Sequence, residues 1–268
     1  MKVGIIGYGS MGKMLAGKFS ASGKLENGSI LVSNRTREKL SALPDGARAC
    51  SSNSELAARA DIIFLCVKPG DLKGIMEEIE PVRKQGSMLV SLNGSISFAT
   101  LERIAHGKLA KVIPSVTAEI NRSQTLVCCN RHVEEKDKAR LEDLLAWIGE
   151  VIELPEHEMG MGSELVSCMP GFIASMLDVI CQAAEKHTEI PPGQVIQMVL
   201  KAMTATGELM LEDHASFEEI VARVATKGGI TEEGTRVIYE QFPAVADQVF
   251  EKTLEKRRQT AKAAEETV

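Results

Sequence analysis

The chain opens with MKVGIIGYGSMG, residues 1–12, and this stretch decides the fold. A short apolar run leads directly into Gly7, Gly9 and Gly12, which have the spacing G-x-G-x-x-G. Such glycines allow a tight turn, close approach of the backbone to a pyrophosphate, and close packing of a helix on a strand. Ser10 and Met11 then begin a helix whose free N–H groups favour an anion. The stretch predicts a dinucleotide site, and a glycine turn without a ligand is the alternative.

Composition describes an ordinary globular chain. Of its 268 residues, 44% are hydrophobic and 25% are charged, and the net charge is −6. No basic face is concentrated along the sequence, so we expect no nucleic-acid partner. No apolar run approaches the length of a membrane span, and we expect no signal peptide and no membrane association. Six cysteines without a CxxC or metal-ligand spacing indicate a reduced, cytoplasmic protein with no metal site.

The spacing of apolar residues changes near the middle of the chain. Up to residue 154, short apolar runs alternate with helical patterns, which predicts crossover units and a mostly parallel sheet. From about residue 158, only helical spacing remains. The predicted fold is therefore α/β: a Rossmann-type, doubly wound dinucleotide-binding domain in residues 1–155, followed by an all-α dimerisation domain in residues 156–268.

The first long helix of the second half is apolar nearly all round, from Leu165 to Ile180. A helix without a polar face must be surrounded. A helical region of this size does not readily enclose such a helix, so we expect packing across a homodimer or a higher homo-oligomer. The alternative is the central helix of a monomeric bundle. The charged stretch that ends the chain, residues 252–268, is expected to be solvated helix.

The end of the second strand indicates which dinucleotide binds. An NAD-binding unit usually carries Asp or Glu at this point to accept a hydrogen bond from the ribose 2′-hydroxyl. No acidic residue lies between Gly28 and Arg37. Arg35 is the expected partner of a 2′-phosphate, and Ser33, Asn34 and Thr36 complete a polar cup. We therefore expect NADP(H) rather than NAD(H), with a solvated turn as the alternative.

Together these segments resemble the pyrroline-5-carboxylate reductase family over nearly the whole length. The resemblance lies in the glycine turn, in the NRT sequence at the end of the second strand, and in four later segments: ADIIFLCVKP (60–69), VSLNGSI (90–96), VIPS (112–115) and TKGGIT (226–231). It implies that Val67, Lys68 and Pro69 lie beside the cofactor ribose and diphosphate. It also implies that Asn93 lies in the turn toward the active site. From the sequence alone, Lys68 is equally a turn lysine.

The resemblance also implies a site for a small-molecule substrate. Gly228, Gly229 and Thr231 correspond to the family segment that binds the substrate carboxylate and ring nitrogen, and Ser115 occupies a further substrate position. Consecutive glycines at a helix start can direct N–H groups toward one carboxylate. Thr231 is the expected catalytic residue, since its hydroxyl is the best candidate to contact the nitrogen. Thr231 acting only as a helix N-cap is the alternative.

Four departures from the family pattern concern the substrate more than the cofactor: Lys111, Ser115, Met169 and Lys227. The resemblance implies hydride transfer from NADPH to the C=N carbon of 1-pyrroline-5-carboxylate, forming proline. A reductase of the same build for another imine, a carbonyl or a deazaflavin remains open. A noncatalytic NADP(H)-binding regulatory protein also remains open, and it would bind cofactor without turnover.

Overall fold

The computed structural model describes residues 1–267, and its first half is built on one eight-stranded sheet in the order β3-β2-β1-β4-β5-β6-β7-β8. The strands are β1 (Val3–Ile6), β2 (Ile30–Ser33), β3 (Ala47–Ala49), β4 (Ile62–Leu65), β5 (Met88–Ser91), β6 (Leu109–Ile113), β7 (Ser123–Cys129) and β8 (Gly149–Glu153). Neighbouring strands are parallel except β6 and β7, which are antiparallel. The predicted α/β fold is confirmed.

Ten α-helices accompany the sheet within residues 1–267. They are α1 (Ser10–Ala21), α2 (Asn53–Ala57), α3 (Leu72–Ile79), α4 (Phe98–Leu101), α5 (Glu135–Leu145), α6 (Met159–Ser163), α7 (Met169–Glu185), α8 (Pro192–Asp213), α9 (Phe217–Val224) and α10 (Ile230–Thr267). Short 3-10 turns cover Arg37–Ala42, Pro69–Asp71, Val116–Ile120 and Glu156–Glu158, and a π-helical turn covers Glu164–Cys168. No strand follows residue 153 in the part of the chain that the structure describes.

Helices cover both faces of the sheet because the central strands are apolar on both faces. On one face, Ile5 of β1 belongs to the same core cluster as Leu15 and Phe19 of α1. On the other face, Ile6 belongs to a cluster with Leu56 of α2 and the buried residues of α3. Successive strand residues point to opposite faces, so one apolar run serves both layers.

The order of the strands creates a crevice beside β1. The chain runs outward from β1 through β2 to β3 and then returns to place β4 on the other side of β1. The connections that leave the carboxyl ends of β1 and β4 therefore diverge. Ligands of doubly wound sheets bind at such a switch point. This crevice is therefore the expected ligand site.

By packing, the chain divides into two compact units. The first contains Met1–Pro170 together with the C-terminal residues from Leu254 onward, and the second is Gly171–Thr253. Residues just after β8 belong to the first unit because Met159 and Val166 enter its core. The boundary between the two compact units, after Pro170, therefore lies later in the chain than the end of the last strand at Glu153. The predicted boundary between residues 155 and 156 stays a prediction.

Two expectations about the helical half need correction. The end of α10 is not simply solvated: Ala264 is 3% exposed and joins the core of the first unit, and Arg257 pairs with the buried Glu164.

The helical run Glu156–Glu185 is long and apolar enough to cross a membrane by length and composition alone, and it is the one such helix in residues 1–267. The statement that no run approaches that length was therefore wrong.

The helix α7 is not surrounded by this single chain. Val179 is 65% exposed and Ile180 is 51% exposed. Large apolar side chains on this helix therefore remain uncovered within one chain, as the expectation of packing across an oligomer requires.

Candidate functional site

A cleft of about 650 Å³ opens at the carboxyl ends of β1, β2 and β4. Eight of the residues predicted to bind the cofactor line it: Gly7, Gly9, Ser33, Asn34, Arg35, Thr36, Val67 and Lys68. Ser10, Met11 and Gly12 form the first turn of α1, directly after the glycine turn, and Pro69 begins the 3-10 turn that follows Lys68. The structure therefore brings these two segments and the end of β2 together.

Gly7, Gly9 and Gly12 each favour glycine for a different geometric reason. Gly7 has φ +95°, and a Cβ there would lie 2.4 Å from the carbonyl oxygen of Cys66. A Cβ on Gly12 would lie 2.0 Å from the carbonyl oxygen of Gly7, so only glycine lets α1 pack so closely on β1. A Cβ on Gly9 would meet no atom within 4 Å. Gly9 therefore faces open space, where a diphosphate can approach the backbone.

The N-terminus of helix α1 is suited to binding an anion. Gly9 is the N-cap residue, no side chain caps the helix, and its first turn holds no acidic residue. The free N–H groups of this turn and the helix dipole are therefore not satisfied by a side-chain carboxylate. They favour a phosphate at this position.

Two residues of the predicted polar cup are engaged in holding the cleft together. The Asn34 Oδ1 accepts a hydrogen bond from the Tyr8 N–H at 2.9 Å, and the Asn34 Nδ2 donates to the Thr36 carbonyl at 2.8 Å. The Ser33 hydroxyl donates to Asn53 Oδ1 at 2.7 Å, and Ser33 is buried. Asn34 thus joins the end of β2 to the glycine turn.

The charged groups that remain available in the cleft are mainly cationic. The Arg35 side chain is 90% exposed and lies 3.6 Å from Asp71, an exposed ion pair that costs little to break. Lys39 and Lys68 also line the cleft. Glu78 lines it too, but its carboxylate accepts hydrogen bonds from Asn53 Nδ2 and the Ser54 N–H. The side of the cleft near Arg35 therefore suits a phosphate.

The cleft holds no reactive thiol. Cys50 and Cys66 line it, and burial raises the pKa of both thiols, that of Cys66 to about 12. The thiolate form is therefore negligible near neutral pH. Among residues 1–267, no group of three or more His, Cys, Asp or Glu side chains is placed to hold a metal ion.

Asn93 lies outside this cleft, in the turn that follows β5. Its N–H donates to Ser91 Oγ at 3.2 Å, and its Oδ1 accepts from the Ser95 N–H at 3.3 Å. Since β5 is the parallel neighbour of β4, the turn leaves the same edge of the sheet as the cleft. Asn93 is thus near the predicted edge without lining the cleft.

Ser115 is enclosed. It is 2% exposed, its N–H donates to Ser123 Oγ at 3.0 Å, and its hydroxyl accepts the Thr117 N–H at 3.4 Å. These contacts make Ser115 the N-cap of the Val116–Ile120 turn. Its role toward a substrate stays a prediction.

The predicted substrate segment belongs to the second unit. Gly228 has φ +73°, and its N–H donates to Glu232 Oε2 at 2.6 Å. The Gly229 N–H donates to the Thr226 carbonyl at 2.8 Å. Because α10 begins at Ile230, Thr231 lies inside the first helical turn rather than at the N-cap. The alternative role of Thr231 as the helix N-cap was therefore wrong.

Sequence reasoning missed one wall of the cleft, formed by residues 50–53 and the start of α2. Ser52 caps α2 by accepting the Glu55 N–H at 3.0 Å. The sequence SNSE has the serine and glutamate of a helix N-terminus three residues apart, which is the signal that could have found it.

Comparisons with known proteins agree with this architecture. Residues 2–94 match the family described as NADP oxidoreductase coenzyme F420-dependent, and residues 156–260 match pyrroline-5-carboxylate reductase dimerisation. The chain is 31% identical to pyrroline-5-carboxylate reductase 3 of Bacillus subtilis over 258 residues, which cover 95% of each chain. It is 28% identical to the pyrroline-5-carboxylate reductase of Escherichia coli, with 98% of this chain and 99% of that one covered.

A solved structure shows the same fold. The pyrroline carboxylate reductase of Plasmodium falciparum, determined with NADP bound, superposes with a TM-score of 0.87 at 21% identity, covering 97% of this chain and 98% of that one. Three observations lead to the same family assignment. They are the glycine turn at the switch point, the helical second half, and relatives that match along almost the whole chain. The chain belongs to the pyrroline-5-carboxylate reductase family.

Proposed function

We propose that the protein is an NADPH-dependent reductase that converts 1-pyrroline-5-carboxylate to proline. The observation that carries this proposal is the full-length similarity to pyrroline-5-carboxylate reductases. The glycine turn, whose Gly9 faces open space beside the free N-terminus of α1, supports it. The fold relative with NADP bound is similar along nearly the whole chain.

The residues of the cleft fit NADP(H). The N–H groups of Gly9, Ser10 and Met11 would hold the diphosphate. Arg35 and Thr36 would hold the 2′-phosphate, while Ser33 and Asn34 would keep the two loops in place through their internal hydrogen bonds. Lys68 and Pro69, with Val67, would lie along the ribose and diphosphate. These roles agree with an exposed Arg35 and a buried Ser33.

The substrate carboxylate would bind at Gly228, Gly229 and Thr231. A carboxylate oxygen, that of Glu232, already accepts the Gly228 N–H at 2.6 Å, so this backbone geometry suits a carboxylate. A substrate would replace Glu232 at this N–H. The Thr231 hydroxyl would hydrogen-bond the ring nitrogen.

The reaction needs orientation more than acid–base power. When bound, NADPH supplies a hydride to the carbon of the C=N bond. The nitrogen takes up one proton, and the products are proline and NADP⁺. Because a cyclic iminium is already electrophilic, the residues of this chain need only hold its carboxylate, exclude water and fix the ring against the cofactor.

The proposal is tested by mixing the purified protein with NADPH and adding 1-pyrroline-5-carboxylate. We expect oxidation of NADPH that depends on the substrate and forms one proline per NADPH consumed. NADPH binding without turnover would instead support the noncatalytic alternative. Oxidation that starts only with another imine, a carbonyl or a deazaflavin from a parallel panel would support the second reductase.

That second reductase is favoured by specific residues. Met169 places a large side chain at the start of α7, and Lys227 adds a cation beside the glycine segment. Neither residue lines the cofactor cleft, so both departures concern the substrate rather than the cofactor. The match of residues 2–94 to a family described by coenzyme F420 supports including a deazaflavin in the panel.

We also infer a homodimer or higher homo-oligomer in the cytoplasm, without a nucleic-acid or membrane partner. The match to a dimerisation family and the uncovered apolar side chains of α7 support the oligomer. All six cysteines are free, as is usual in a reducing compartment. Sedimentation of the purified protein would measure the assembly, and a monomer would contradict it.

A further inference from the structure

The π-helical turn before α7 contains a buried carboxylate that the proposed reaction does not use. Glu164 is 1% exposed. Its Oε1 accepts hydrogen bonds from Arg257 Nε at 3.0 Å and from Arg257 Nη2 at 2.7 Å. Its Oε2 is buried without a hydrogen-bond partner among the described residues. A buried charge of this kind is tolerated only because an opposite charge is held against it.

Arg257 comes from the C-terminal part of α10, which belongs to the same compact unit as Glu164. Its Nη2 also donates to Ser163 Oγ at 3.0 Å. Burial raises the pKa of the neighbouring Cys168 thiol, and the negative charge of Glu164 raises it further. The guanidinium is therefore fixed by the carboxylate and the serine at once.

The Arg257 side chain runs beside two glycines. A Cβ on Gly160 would lie 3.5 Å from Arg257 Cδ, and a Cβ on Gly94 would lie 3.7 Å from Arg257 Nη1. Gly94 is part of the turn that follows β5. The guanidinium therefore lies between the π-helical turn and the turn after β5.

The turn after β5 is weakly held by its own hydrogen bonds. The three bonds that involve Asn93 have donor–acceptor distances of 3.2, 3.3 and 3.4 Å. These are at the long end for protein hydrogen bonds. Its last residue, Ile96, is buried in the core, and the space beside Gly94 is bounded by Ile113 and by the Arg257 guanidinium.

We propose that Arg257, anchored by Glu164, is a positioning residue that fixes the turn Asn93–Ile96 at the edge of the sheet where the reaction takes place. The strand β5 adjoins β4, whose carboxyl end lines the cofactor cleft, so this turn borders the space for the reacting ring. The inference rests on the proposed function. It makes the end of the C-terminal helix a determinant of hydride transfer rather than a solvated tail.

The test compares Arg257→Ala with its neighbour Arg258→Ala. The Arg258 side chain is 69% exposed and pairs with Glu255 on the same helix, so it is a matched control. For Arg257→Ala we expect kcat to fall by about tenfold or more, with the NADPH dissociation constant changed by less than about twofold. Arg257→Lys, which keeps the charge, should recover part of kcat. Arg258→Ala should change neither quantity.

A second readout needs no turnover. Hydrogen exchange at the amides of residues 93–96 should quicken by about tenfold or more in Arg257→Ala, while the amides of β1 and β4 keep the wild-type rate. If Arg257→Ala does not fold, Glu164→Gln takes its place with the same expectations. Unchanged exchange in this turn, or a kcat within about twofold of wild type, would overturn the proposal.

The two proposals fail in different ways. If the wild-type protein does not reduce 1-pyrroline-5-carboxylate, the proposed function fails, and the exchange measurement still decides whether Arg257 fixes the turn. If the wild type is active and exchange in the turn is unaffected by Arg257→Ala, only the positioning role fails.

Discussion

The side-chain oxygen of Asn34 accepts a hydrogen bond from the backbone N–H of Tyr8 at 2.9 Å. The residue that follows β2 thereby holds the glycine turn that follows β1. The two sides of the cleft, the glycine turn and the end of β2, are joined by this bond. The geometry of each side consequently depends on the other.

Replacing Asn34 with alanine should weaken NADPH binding by about fivefold, since one hydrogen bond is worth about 1 kcal/mol. NADH binding should weaken by a similar factor, because the bond supports the diphosphate turn that both cofactors use. Fluorescence titration of both cofactors measures this. Gln124→Ala, at an exposed position on β7, is the control. Wild-type affinity in Asn34→Ala would show that the turn holds without the bond.

Replacing Arg35 with alanine should discriminate between the two cofactors. A hydrogen bond to a charged group is worth about 1.5–3 kcal/mol, so NADPH affinity should fall by about tenfold or more while NADH affinity changes little. The ion pair with Asp71 is exposed, and its loss should leave stability nearly unchanged. Arg140→Ala, an exposed arginine on α5, is the control. Equal losses for NADPH and NADH would remove the reason for choosing NADP(H).

Gly9 and Gly12 should respond differently to alanine. Gly9→Ala should keep stability within about 1 kcal/mol but weaken NADPH binding by about tenfold or more, because its methyl group enters the open space in which we propose that the diphosphate binds. Gly12→Ala places its methyl group 2.0 Å from the Gly7 carbonyl oxygen and should destabilise the fold by about 1–3 kcal/mol. Denaturation and cofactor titration of both variants separate the two effects. Undiminished NADPH binding in Gly9→Ala would contradict the assigned site.

Thr231→Ala should raise the KM for the substrate or lower kcat by about fivefold, with NADPH affinity unchanged, because one hydrogen bond to the substrate is lost. Thr235 lies one turn further along α10, and its hydroxyl donates to the Glu232 carbonyl at 3.0 Å. Thr235→Ala is therefore the matched control. Steady-state kinetics with both variants measure the difference. Equal rates for Thr231→Ala and wild type would show that Thr231 only forms part of the helix.

The sequence was sufficient to predict the sheet, the glycine turn and the helical half, because each is encoded locally. Apolar runs mark the buried parallel strands, and the three glycines have spacings that few other turns require. The short strand β3 was missed, since Ala47–Ala49 carries only three residues and little apolar signal. The helix α9 was missed although Ser216 and Glu219 form a capping box at its start.

Long-range contacts were beyond the reach of sequence patterns. The hydrogen bonds between Arg257 and Glu164 join residues 93 positions apart, and no local spacing indicates them. The same holds for Asn34, which looks like a free polar group in the sequence but is engaged with Tyr8. Which polar groups remain available to a ligand is decided by tertiary packing.

The central claim is that hydride passes from NADPH to the carbon of a cyclic imine bound by this chain. The most direct measurement supplies NADPH carrying deuterium in the transferred position, together with 1-pyrroline-5-carboxylate, and analyses the product by mass spectrometry. The account predicts proline with one deuterium, on the ring carbon that had been double-bonded to nitrogen. Unlabelled proline, or NADPH that stays reduced in the presence of the imine, would contradict it.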